Sequence, residues 1–77
     1  MSHTFTDESL MTWEAYASSG RFGFAERPSI VFNCLSDTTV RPRHVQRPGD
    51  ESDAERQVHD YDEHQLRDLL RQSHPID

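Results

Sequence analysis

The densest apolar run of the chain is Ser29-Ile-Val-Phe-Asn-Cys-Leu-Ser36, which gathers β-branched and aromatic residues between Pro28 and Asp37. That composition and those flanking breakers predict a strand over 29–36. Its apolar residues occupy both parities, Ile30, Phe32 and Cys34 against Val31 and Leu35, so the strand is expected to be central and at least partly covered on both faces. A turn over 36–38 then leads into Thr39-Val-Arg-Pro-Arg-His-Val-Gln46, a natural antiparallel partner over 39–46. Pro42 lacks the N–H a ladder needs, which assigns this second strand to a sheet edge or requires a bulge. A bulge would also bring Val40 and Val45, of opposite parity, to one core.

Residues 12–17 satisfy two periods. Leu10, Trp13 and Ala17 fall at helical spacing between Asp7 and Gly20, whereas Trp13, Ala15 and Ala17 alternate with Glu14, Tyr16 and Ser18 as in a strand. The strand reading is favoured, with Thr4-Phe-Thr-Asp7 as a possible earlier strand returning through a turn. Residues 18–28 hold two Gly, a Pro and two Phe and read as a connecting loop, with Phe22 and Phe24 placed to fold back on the sheet. Beyond Pro48-Gly49 the period changes to helical. Ser52-x-x-Glu55 and Asp62-x-x-Gln65 both have the form of a capping box, and Leu66, Leu69 and Leu70 share one face, with Glu63 four residues before Arg67. These caps predict two short helices, over 51–59 and 63–72, although one continuous helix would also align Val58, Tyr61 and Leu69.

The order Trp13-Glu-Ala-Tyr16, Ile30-Val-Phe32, then Asp62-Glu63-x-x-Leu66-x-x-Leu69-Leu70 resembles small bacterial proteins of unknown function. The resemblance implies a short antiparallel sheet closed by a C-terminal helix, and brings no activity or site residues with it. Together these readings give an α+β fold: a small antiparallel three-stranded sheet followed by two short C-terminal helices, in a single domain over 1–77. Its expected core is Trp13, Ile30, Phe32, Val45, Val58, Leu66, Leu69 and Leu70, and its ends, 1–3 and 75–77, are expected to fray.

Composition narrows the picture. The chain has 77 residues, with 14 Asp and Glu and a net charge of -6; its eight basic residues are all Arg. The absence of Lys, together with the acidic excess, is the composition expected of GC-rich coding or of a halophile-like habitat in which salt screens self-repulsion. A domain this short buries only about 60% of its unfolded surface, so its core must be economical. The lone Cys34 has no internal disulfide partner and is expected to be a buried structural residue. The chain has no apolar run of membrane-spanning length and no recognisable signal segment; a cytoplasmic, acidic protein without a membrane is expected.

Charge supplies the nearest signal of function. Residues 1–20, 21–47 and 48–77 carry net charges of -3, +3 and -6, so the Arg residues of the loop and hairpin face an acidic helical tail. The bland reading is mutual attraction across the fold. The functional one has Arg41, Arg43, Arg21 and Phe22 presenting guanidinium forks and a ring to an anion or a partner. Nucleic acid is disfavoured by the acidic total, and Ser18-Ser-Gly-Arg-Phe-Gly23 lacks the order and the lysine of a phosphate loop. The five histidines are spaced as surface residues and not as metal ligands, and Cys34 with His44 lacks the third group a nucleophilic set needs. The chain is therefore expected to be a non-enzymatic protein-interaction domain without cofactor or metal, a monomer or weak homodimer that receives a partner at an exposed edge strand. The alternative is a binding module for an anionic ligand or RNA at the Arg-rich hairpin.

Overall fold

The computed structural model describes residues 2–18 and 28–76. Its elements are β1 (Ser2–Thr6), β2 (Thr12–Ser18), β3 (Ser29–Cys34), β4 (Arg43–Gln46), α1 (Glu51–Asp60), α2 (Glu63–Gln72) and β5 (His74–Pro75). The strands form one antiparallel sheet in chain order, β1 through β5. The α+β class and the two helices match the sequence reading. The three expected strands are joined by β1 at one side and by the two-residue β5 at the other.

Residues 12–17 are strand because both neighbours demand alternation. Trp13 lies opposite Phe5 and Cys34, and Ala15 opposite His3 and Phe32, so the small and large apolar side chains fall on one face. The helices cover that face. Phe5, Trp13, Ala15, Ile30, Phe32 and Cys34 of the sheet form one buried cluster with Ala54 and Val58 of α1 and Leu66 and Leu69 of α2. Phe5 and Phe32 meet edge to face, 6.0 Å between ring centres, the arrangement favoured by the ring quadrupoles. Val45 and Leu70, expected in the core, pack against it while only partly buried, and Cys34 is buried as expected.

Three details correct the sequence reading. The strand 39–46 begins only at Arg43, and its pairing with β3 runs without a bulge from Phe32↔Arg43 to Ser29↔Gln46. Val40 reaches the core from the preceding turn, which removes the parity conflict. This strand is also not the sheet edge: β5 lies outside it, pairing Arg43 with Pro75 and His44 with His74. Pro42 is accommodated just before the strand, where its carbonyl accepts the Ile76 N–H at 2.8 Å and its missing N–H simply ends the ladder. Residues 2, 3 and 75, expected to fray, are paired in β1 and β5.

Both helices start at an aspartate. Asp50 and Asp53 form the capping box of α1, two residues before the expected Ser52 and Glu55, while Asp62 and Gln65 form that of α2 as predicted. Gly49 explains the earlier start: its φ of 91° turns the chain into the cap, and a Cβ there would meet the Asp53 carboxylate at 2.2 Å. Tyr61 and Asp62 are extended and separate the helices.

The β1–β2 connection has Leu10 at a φ of 66°, the position where a three-residue hairpin loop normally places glycine. Leu10 is 82% exposed, so its side chain gains nothing from burial. Leu10→Gly is expected to raise unfolding stability by about 0.5–1 kcal/mol, left-handed strain outweighing the added freedom of the unfolded chain. Leu69→Ala, by contrast, should lower it by about 2–5 kcal/mol, a large share of the total for so small a domain. Urea titration of both variants measures these shifts.

Candidate functional site

A hairpin of antiparallel strands alternates residues that bond inward with residues whose N–H and C=O point away from the partner. In β1 the Asp7 N–H bonds the Met11 carbonyl at 2.8 Å, which makes Phe5 and His3 the inward pairs and leaves Ser2, Thr4 and Thr6 directed outward. Thr6 shows this directly. Its N–H donates to Glu63 Oε2 at 3.1 Å and its carbonyl accepts from Arg67 Nε at 2.6 Å. The i, i+4 pair of α2 thus brackets one residue of the edge as another strand would, and the two side chains lie 3.8 Å apart. That bracket ends at Thr6. Ser2 and Thr4 are exposed, and among the described residues no side chain bonds their backbone.

The edge also lacks the devices that ordinarily block pairing. Its sequence, Ser-His-Thr-Phe-Thr, contains no charged residue of the Lys, Arg, Asp or Glu kind and no Pro, and its register with β2 is unbroken. At the far side of the sheet β5 is only two residues long and includes Pro75. Of the two edges, β1 is the longer and is the one with successive outward backbone groups at Ser2 and Thr4.

Asp7 holds the turn beside this edge. Its Oδ1 accepts the N–H groups of Ser9 and Met11 at 2.8 and 2.9 Å, and its Oδ2 accepts Trp13 Nε1 at 2.7 Å. The buried indole therefore keeps its polar end satisfied. Burial pushes the Asp7 pKa up, but the Trp13 bond, those from Met11 and Ser9, and the charge of Arg67 outweigh it and hold the carboxyl below the usual aspartate range. From the same side Arg71 ties the turn to α2 by bonding both Glu8 and Asp68. Its hydrogen bond to Asp68 is the largest cause of a raised guanidinium pKa.

Of the residues expected to form a hairpin site, Arg41 and Arg43 are among the described ones. Arg21 and Phe22 lie outside the described residues. Arg41 is exposed ahead of β4. Arg43 turns to the helical face, where its Nε donates to Ser73 Oγ at 2.8 Å and its Nη2 to the Ser73 carbonyl. Arg47 likewise donates to Gln57 Oε1 at 2.7 Å. Arg43 and Arg47 thus reach the helical segment through neutral acceptors, while the tail's own arginines serve its carboxylates in the pairs Arg56–Asp53, Arg67–Glu63 and Arg71–Asp68. A cleft of about 340 Å³ does collect Arg43, Arg67 and Arg71 around Trp13 and Leu70, but Asp7 and Glu8 stand in the same wall. Among the described residues no group of three or more His, Cys, Asp and Glu is arranged to hold a metal ion, and no helix is long and apolar enough to cross a membrane.

No protein-family model matches this chain, and neither a curated protein nor a solved structure matches it. The site therefore stands on its own geometry.

The carboxylate of Asp7 supplies an acid-linked prediction. Because its folded-state pKa lies below the unfolded value of about 3.9, its contribution is complete above that value and is lost as pH falls through the folded pKa. Asp7→Asn places an amide N–H₂ against one of the donors and is expected to cost roughly 2 kcal/mol at neutral pH. Denaturant titrations in increasingly acid buffer should show the two proteins converging, wild type losing the advantage as Asp7 protonates.

Proposed function

We propose that this protein is a non-enzymatic interaction domain that takes an extended segment of a partner protein onto the free edge of β1. One observation carries the reading. The outward backbone groups of Ser2 and Thr4 continue a five-stranded antiparallel sheet, on an edge that α2 covers only at Thr6. Main-chain bonds to such an edge provide affinity with little demand on side-chain identity, while the exposed Thr4 and its neighbours contribute selectivity. The acidic total of the chain favours a neutral or basic segment over an acidic one. The alternative, an anion or RNA at the Arg-rich hairpin, has less support because the guanidinium of Arg43 is engaged by Ser73 and that of Arg47 by Gln57.

Thr4→Pro tests the reading. Thr4 has no inward ladder bond to give up, so proline removes only the outward N–H and the fold should persist, as circular dichroism and a melt would verify. Partner proteins recovered from the native host by the wild-type chain should be lost to Thr4→Pro and retained by Arg41→Ala. Retention by folded Thr4→Pro with loss on Arg41→Ala would overturn strand addition in favour of the anion reading.

A further inference from the structure

We propose that His44 and His74 form a two-point chelate for a divalent transition ion of the Zn²⁺, Ni²⁺ or Cu²⁺ type, which pins β5 onto β4. The two residues are direct cross-strand partners. Arg43 reaches the helical face through its bonds to Ser73, so the next residue along β4, His44, stands on the opposite face of the sheet. His74 shares that face, because opposed residues of an antiparallel pair project to the same side. The bond from Ile76 N–H to the Pro42 carbonyl sets the alternation. Pro42 and Ile76 are a bonded pair, Arg43 and Pro75 are not, and His44 and His74 are bonded again. Pro75 thus falls at the position where no N–H toward β4 is required.

This geometry suits chelation. Opposed Cβ atoms lie about 5 Å apart, and two imidazoles rising from them can close their nitrogens to the roughly 3 Å that two metal bonds of about 2.1 Å require. Imidazole selects borderline ions over Mg²⁺ or Ca²⁺. The other three histidines are engaged elsewhere: His3 Nδ1 bonds the Val58 carbonyl, His59 bonds Asp60, and His64 pairs with Asp68. Among the described residues neither His44 nor His74 has such a partner. His44 is half-buried next to the buried Val31 of β3, which limits its rotamers, whereas His74 is exposed and open to an arriving ion. Water or a donor from another molecule would complete the coordination. Both helices lie between the two ligands in the chain, so one ion would close the whole C-terminal half as a loop.

Thermal melts of the full chain with Zn²⁺ or Ni²⁺ added test the proposal, because an ion that binds the native state raises the midpoint as its concentration rises. The midpoint is expected to climb by several degrees in wild type and in the double variant His59→Ala/His64→Ala, and to stay flat in His74→Ala and in His44→Gln. Amide exchange at Ile76 should slow on adding Zn²⁺, a local readout of β5 that remains usable if His44→Gln is itself destabilised. No rise in wild type, a rise that survives His74→Ala, or unchanged exchange at Ile76 would overturn the chelate.

Discussion

Among the described residues the helices cover one face of the sheet, and much of the structure follows from that one-sided layer. The ten buried residues of the main cluster make a single layer between sheet and helices. Alternation then divides every strand, with Phe5, Trp13, Ala15, Ile30 and Phe32 turned to the helices and Glu14, Tyr16, Asn33 and His44 turned away. On the far face Val31 is nonetheless buried, at the centre of a row formed by Ser2, Tyr16, Val31, His44 and His74. The polar residues that flank Val31 in this row, and the edge at Ser2 and Thr4, lie outside the layer that the helices cover.

Within this layer α2 does most to shape the open edge of β1. Leu66 and Leu69 bury its inner side, while Glu63, Arg67 and Arg71 extend past the sheet to Thr6 and Glu8. These charged contacts are partly exposed, and pairs of that kind contribute little stability individually. Their effect is geometric: they cover one outward residue of β1 and leave the next two open. At the other end of α2, Ser73 is buried and gripped by Arg43, which fixes the direction in which the chain leaves the helix and so brings His74 opposite His44.

The elements with strong local signals were legible in the residues. Two helices, the strand around Ile30-Val-Phe32 and the strand character of Trp13-Glu-Ala-Tyr16 all appear where pattern places them, because helical period and apolar alternation are properties of a few neighbouring residues. Phe5 escaped the expected core since one aromatic residue in a five-residue strand makes no period. The shift of the first cap from Ser52 to Asp50 was equally hidden, because both sites offer an oxygen three residues before an acid and only the left-handed Gly49 decides between them.

By itself the sequence determined the class of fold, the helix boundaries to within a residue, most of the core and the acidic balance, all of which depend on short-range period, capping and composition. Tertiary structure alone decided the rest. That Arg43 holds Ser73, that α2 brackets Thr6, that β5 pairs with β4 and makes it interior, and that His44 meets His74 are contacts between residues thirty or more positions apart. The physical reason is that such pairings are chosen by which arrangement buries the shared apolar face, a property of the whole chain that no local pattern encodes.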